Sequence, residues 1–289
     1  MLRTSRGEGT SDVGPIASDL NACFALSNRC GHRRVFRGAG SSPLDLLGDP
    51  TPFVAQAHAA GVKVIDQVGS VADAQRAARA GVDAIVAQGV EAGGHLADEI
   101  TTMALVPRVV DAVAPVAVIA AGGIADARGF AATLALGAQG VMIGTRLIAT
   151  TEAYAHPHYK QNVIDATEDR TVRTTLFGHG WPNAPHRTLR TPFVEHWLPD
   201  EGRGSEQRAD EPQIGATKIG GRSTPLLRFM GFPPMPDAVG DLDSMDFLAG
   251  QGVGLVNAIK PAADVVHELV DGAQQLVFQL ARSIQTPDE

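Results

Sequence analysis

The chain has 289 residues, with 24 basic and 32 acidic side chains, a formal charge of -8 and 44% hydrophobic residues. That supplies enough apolar material for one large domain, or for one domain with a helical extension. The negative balance excludes nucleic acid as a partner, because a phosphate backbone would be repelled. Cys23 and Cys30 stand without a second pair, which supports neither a disulfide framework nor a zinc module.

Residues 1–48 are rich in Gly, Ser and Arg and have short apolar patches without sustained periodicity. They lack the apolar stretch of a secretory signal, and Glu8, Asp12 and Asp19 argue against a transit peptide. No window reaches the roughly eighteen apolar residues that span a bilayer, so no membrane is expected and a reducing cytoplasm is the default compartment. Regular alternation then begins. Strands are predicted over 62–68, 84–87, 116–121 and 140–143, with helices over 71–80, 101–113 and 127–136 and Gly81 as a stop signal. Uniformly apolar strands between amphipathic helices are buried on both faces. Three successive strands each end in a polar or glycine-rich turn, as the active rim of a barrel requires. The expected class is α/β, a (β/α) barrel of TIM type.

Four such units occupy residues 61–150, whereas a closed barrel uses eight strands and about 250 residues. The barrel is therefore expected to be incomplete within this chain, its edges covered by a missing start or by a partner. After Thr150 the alternation stops. Residues 199–215 read as an exposed loop, and 262–284 as a final helix. Its stripe of Val265, Val266, Leu269, Val270, Ala273, Leu276, Val277 and Leu280 is expected to pack on the barrel wall. The predicted organisation is an irregular segment over 1–48 and a barrel portion over 49–289 that includes a C-terminal helical region, 151–289.

The run Gln88-Gly-Val-Glu-Ala-Gly-Gly-His95 carries the most chemistry, because it directly follows a predicted strand. Glycines let a flat ligand approach the main chain, and an imidazole beside them moves a proton near neutral pH. Alone, His95 would more often be a loop or capping histidine. His156-Pro-His158 looks like a ligand pair, but no carboxylate or cysteine cluster accompanies it, so a helix start is expected and no metal is implied.

Taken together, several segments resemble the nitronate monooxygenase family, formerly called 2-nitropropane dioxygenases, over residue 49 to the C-terminus. They are Val86-Ala-Gln-Gly with Glu91-Ala-Gly-Gly-His95, Ala121-Gly-Gly-Ile124, Gly140-Val-Met-Ile-Gly-Thr-Arg146, Phe177-Gly-His-Gly-Trp-Pro-Asn-Ala-Pro-His-Arg187 and Ala249-Gly-Gln-Gly-Val-Gly-Leu255. The resemblance implies an FMN-dependent TIM barrel that oxidises an alkyl nitronate or nitroalkane with dioxygen, giving a carbonyl compound and nitrite. It also implies that Met142, Ile143, Gly144 and Thr145 form one FMN-contacting run, and that His95 lies over the flavin face as base or hydrogen-bond donor. Gly122, Gly123, Gly144 and Thr145 are expected to cradle the phosphate through their amides. Gln88 is placed to donate to and accept from the ring edge, and Gly93 to let the cofactor pass closely.

Family members open with a Gln-Ala-Pro-Met type motif and a Ser-Asn-Ala-Gly-Gly type turn, and neither occurs intact here. Two alternatives stay open: an enoyl-acyl-carrier-protein reductase, whose group shares the Glu-Ala-Gly-Gly-His type turn, and a non-catalytic half-barrel that folds with a partner. A homo-oligomer is also left open. Trp181, His186 and Arg187 line the substrate mouth or pack under the C-terminal helix. Arg146 sits near the phosphate or in an ion pair, and Glu91 is expected to orient its loop.

Overall fold

The computed structural model describes residues 25–26 and 50–284, so the cysteines and nearly all of the N-terminal segment lie outside the described residues. The described residues begin with a two-residue strand β1 (Ala25–Leu26) and helix α1 (Thr51–Ala59). It continues through β2 (Lys63–Val68), α2 (Val71–Ala80), β3 (Ala84–Gln88), a short β4 (Gly94–His95), α3 (Thr102–Val113), β5 (Ala117–Ala121), α4 (Ala127–Ala135) and β6 (Gly140–Met142). Local signals account for the boundaries. Ser70 caps α2 by accepting from Asp73 N at 3.2 Å, and Gly81 ends it with φ 88°, the left-handed conformation that glycine adopts without penalty. Asp126 caps α4 by accepting from the amides of Arg128 and Gly129.

Strands β2, β3, β5 and β6 are parallel and lie side by side in chain order, with β1 antiparallel on the outer edge of β2. Parallel crossovers are right-handed. A sheet whose order never reverses therefore carries all its helices on one face, which is the barrel arrangement rather than the doubly wound one. Four parallel strands of TIM-barrel type are present among the described residues.

Alternation then assigns the two faces. Val64, Val68, Ile85, Ala87, Val118 and Ala120 pack outward against Val54, Ala74, Ala77, Leu105, Val106 and Val109 of the helices, forming the main core. Each valine, leucine or isoleucine among them contributes about 1.5–3 kcal/mol by leaving water. Val86, Gln88, Ile119, Ala121 and Met142 point the other way, toward the barrel axis.

Residues beyond Thr150 hold more than helix. After α5 (Thr145–Ile148), which closes the preceding unit, come α6 (Pro157–Asp165), β7 (Thr171–Thr174), β8 (His186–Leu189), α7 (Pro192–Trp197), β9 (Gln213–Ile219), β10 (Arg222–Leu227), β11 (Val239–Gly240) and α8 (Ala262–Ile284). Two antiparallel sheets, β4-β8-β7 and β10-β9-β11, are invisible to helical or long-strand periodicity because their members are two to seven residues long. The Gly220-Gly221 turn of the β9–β10 hairpin has both φ angles positive, the geometry that two-residue hairpins favour.

Two expectations are corrected here. Residues 199–215 are only in part an exposed loop: residues 206–210 are exposed, but a 3-10 helix (Leu198–Ser205) precedes them and leads to buried Glu211, which pairs with Arg203 and, at 2.9 Å, with Arg228. Charge content suggested solvent throughout, but this one cluster is neutralised inside. The C-terminal stripe is also narrower than expected. Val265, Leu269 and Ala273 are buried, one residue per turn, whereas Val266, Val270, Val277 and Leu280 remain exposed. Close approach of Gly272 to Ala127 of α4 brings the backbones together along one narrow line, which turns the flanking valines outward. Among the described residues no helix is long and apolar enough to cross a membrane.

Candidate active site

The parallel register aligns the predicted turns. Gln88 pairs with Ala121, and Ala121 pairs with Met142, so the chain leaves three adjacent strands from a single rung. Gly122 and Gly123 follow one strand, Ile143, Gly144 and Thr145 the next, and the Gln88–His95 run the third. All expected site residues thus share the C-terminal rim of the sheet. Met142 faces inward and is 38% exposed, while Ile143 packs into the outer core.

Each turn is held by a different device. Glu91 accepts from Thr102 N and Thr102 Oγ1 at 2.9–3.1 Å, capping α3 from outside, and Thr102 Oγ1 also lies 3.0 Å from Gly122 O. A carboxylate at a helix N-terminus is favoured by the exposed amides there, so Glu91 orients its loop, as its sequence context implies. Gln88 is buried, and its amide makes two hydrogen bonds: Nε2 donates to His95 O at 3.0 Å, and Oε1 accepts from Ala97 N at 3.3 Å. Its amide straps the His95 loop to the strand, with one N–H and one lone pair left over.

The Ala249–Gly252 segment stitches the three turns together. Gly250 N donates to Thr145 Oγ1 and Gln251 N to Glu91 O, both at 2.9 Å. A Cβ on Gly252 would stand 2.9 Å from Gly123 O, and one on Gly93 would stand 2.5 Å from Gly250 N. Gly93 therefore gives way to the protein's own main chain, where close passage of a cofactor was expected. Gly122, at φ 103°, is likewise filled by Gly89 O at 2.8 Å. Gly144 differs: its φ is -113°, and nothing lies within 4 Å of the position a Cβ would take. The main-chain N–H groups of Gly122, Gly123, Gly144 and Thr145 have no acceptor among the described residues. Amides without a protein acceptor, in turns that follow adjacent strands, are groups that an anion could bind.

His95 belongs to β4, paired with His186 of β8. Its ring stacks on the indole of Trp181, with centroids 4.1 Å apart and planes at 27°, and lies 5.7 Å from the ring of His186. Burial, and then the neighbouring His186, lower the His95 pKa to about 4. His186 is 1% exposed, and burial lowers its pKa to about 4 as well. Its Nδ1 donates to Ala184 O at 3.0 Å, which leaves Nε2 as a bare acceptor. His95 is thus neutral at pH 7 and a weaker base than its ordinary value near 6.5 implied. Trp181, His186 and Arg187 pack on this turn and not under the C-terminal helix. The signal for them was the aromatic and basic content of the 177–187 segment; its partner was not legible.

Arg187 anchors the loop from the other side, donating from Nε and Nη2 to Val90 O at 3.0 and 2.9 Å. We expect Arg187→Met to keep the packing volume but lose this two-pronged bond to a part-buried carbonyl. The cost should be about 2–3 kcal/mol, read as a lower urea midpoint with an unchanged slope. A midpoint within 0.5 M of the parent (~1 kcal/mol at a typical slope) would contradict the anchoring role. Arg146 turns away from the rim, its Nη1 lying 3.3 Å from Ala149 O and 3.4 Å from Ala258 O. His156 accepts from His158 N and starts α6, consistent with a helix-start role. A groove of about 560 Å³ lies on the helical side of the Gly122–Gly123 turn, lined by Glu91, Thr102, Met103, Ile124, Thr133 and Leu255. Gly122 and Gly123 border it, but Gln88, His95, Gly144 and Thr145 do not, so the rim on the barrel-axis side, which gathers more of the expected residues, is the better candidate.

A barrel-type parallel sheet with glycine-rich turns and a stacked imidazole at the C-terminal ends of its strands defines a class: α/β proteins of TIM-barrel type. Comparison with known sequences narrows it, because the nitronate monooxygenase family description matches residues 46–272. The chain belongs to the nitronate monooxygenase family. It is 32% identical over 247 residues to the nitronate monooxygenase of Neurospora crassa, covering 83% of this chain and 61% of that protein. Among solved structures, FabK from Thermotoga maritima superposes with a TM-score of 0.64 at 35% identity, over 82% of this chain and 69% of that one. The nitroalkane oxidase from Streptomyces ansochromogenes gives 0.60 at 26% identity, over 80% of this chain and 62% of that one. The matches with curated relatives span from 39% to 61% of the length of those proteins.

Proposed function

We propose that this chain carries the FMN-binding rim of an oxidoreductase that converts alkyl nitronates and dioxygen to a carbonyl compound and nitrite. The observation that carries the reading is the set of four unpaired amides, of Gly122, Gly123, Gly144 and Thr145, on the rim that also presents His95. These amides suit the phosphate dianion of FMN, and the inward-facing Met142 would border the ring. When bound, FMN supplies the electron transfer from substrate to dioxygen. His95 is neutral, so its role is to orient the nitro group by hydrogen bonding. A base with a pKa of about 4 is poorly matched to removing a carbon-bound proton at pH 7. The favoured substrate is therefore the nitronate, which arrives already deprotonated, rather than the neutral nitroalkane. Gln88, Arg187 and Glu91 position the loop that bears this histidine.

The test is to load the purified protein with FMN, desalt it, and follow flavin absorbance, oxygen uptake and nitrite release. Retained flavin and propyl nitronate oxidation at least ~10-fold faster than that of 1-nitropropane are expected. Loss of all flavin on desalting would remove the basis for the reading. Oxidation of NADPH with an enoyl thioester, without nitronate turnover, would establish the alternative reductase, which shares the Glu-Ala-Gly-Gly-His type turn.

A further inference from the structure

Trp181 lies on a loop that is braced more firmly than a surface turn needs. Gly180 N donates to Gln207 Oε1 at 2.8 Å, Gln207 Nε2 donates back to Gly178 O, and Asn183 N donates to Ser205 Oγ at 2.8 Å. Gly180 and Asn183 both have positive φ, at 95° and 57°, so the chain bends sharply on either side of the indole. All of these bonds come from one distant segment, residues 205–207. What the brace presents is a flat indole against the imidazole of His95, 4.1 Å between centroids. The indole N–H is buried without an acceptor, so no hydrogen bond of its own accounts for the ring's position.

We propose that Trp181 is a positioning residue for His95: its indole covers one face of the imidazole, fixes the ring plane and shuts water from that side. This rests on the reading of His95 as the substrate-orienting group, although the charge state of the ring is measurable without any substrate. The groups packed around His95 are few. His186 approaches from β8, the guanidinium of Arg187 is turned to Val90 O, and Gln88 meets only the His95 carbonyl. None of them is an anion that would favour imidazolium. Covering the ring therefore keeps it uncharged, because the charged form is the one that loses most when water is removed. His186 adds to this from the second side.

The experiment is a proton NMR titration of the His95 ring, assigned by its disappearance in His95→Gln, in the full chain without substrate. The parent should titrate near pH 4. Trp181→Phe retains a stacked ring and should stay within half a unit, whereas Trp181→Leu uncovers the face and should move the midpoint up by at least ~1 unit toward the ordinary value. A parent midpoint near 6.5, or a Trp181→Leu midpoint unmoved from the parent, would overturn the proposal. If either variant fails to fold, the parent midpoint alone still decides whether the ring is covered. In FMN-loaded protein, the acid limb of kcat/KM for propyl nitronate should shift with the NMR midpoint. A lower rate with an unmoved limb and midpoint would show Trp181 to be packing only. Absence of nitronate oxidation with the expected NMR shift would instead fault the proposed function and leave Trp181 as the cover of His95.

Discussion

Gly144→Asp is expected to lower FMN affinity at least ~100-fold while leaving the protein folded. The position tolerates a side chain: its φ of -113° suits any L residue, and no atom lies within 4 Å of the added Cβ. Surface changes of this kind usually stay within about 0.5 kcal/mol of the parent. A carboxylate there would repel a phosphate dianion bound at the neighbouring amides. At an effective dielectric of 20, a unit charge pair 4 Å apart is worth about 4 kcal/mol, so a loss of ~3 kcal/mol, or roughly 100-fold, is a conservative expectation. Equilibrium dialysis with FMN and with riboflavin separates causes. The variant should lose FMN and keep whatever affinity the parent has for riboflavin, which lacks the phosphate. Unchanged FMN binding would place the phosphate elsewhere.

Asp246→Asn is expected to stabilise the protein increasingly as pH rises from 4 to 8. Asp246 is 1% exposed, and burial pushes its pKa up to about 8 from 3.8. In the folded chain it holds a proton that the unfolded chain releases above pH 3.8, so stability falls as pH climbs toward 8. His95 and His186 act in the opposite sense. Both are lowered to about 4, so between about pH 4 and 6.5 the unfolded chain binds two protons that the folded chain does not, and stability rises with pH. Two histidine protons against one aspartate proton leave a net rise up to about pH 6.5. Above it only the aspartate imbalance remains and the slope reverses. From these three groups, thermal stability should peak near pH 6.5. Asparagine is neutral in both states and removes the alkaline fall. The gain near pH 8 should be about 2 kcal/mol or more, roughly 5 °C in Tm, and close to nothing at pH 4. A gain independent of pH would mean that Asp246 is ionised in the folded protein.

Much of the barrel portion was legible before any coordinates. Apolar runs separated by amphipathic stretches predicted the four parallel strands to within two residues, and Gly81 marks a helix end through local chemistry that needs no tertiary partner. The shared rim was legible as well, because parallel strands in chain order put every following turn at one end. What failed was legibility of non-local matters. The sequence shows nine histidines alike, and only the pairing of β4 with β8 seats His95 against Trp181 and His186 and lowers its pKa.

The glycines mark the same divide. Gly93, Gly122 and Gly144 look interchangeable as residues that permit close approach, and the sequence by itself determined that such positions cluster after β3, β5 and β6. Tertiary structure alone decided that Gly93 admits the Ala249–Gly250 main chain, that Gly122 admits Gly89, and that Gly144 opens onto empty space. Periodicity and capping are properties of neighbouring residues, so a chain states them on its face. Occupancy of a space and the charge state of a ring depend on atoms a hundred residues away, and come into being only when the backbone folds.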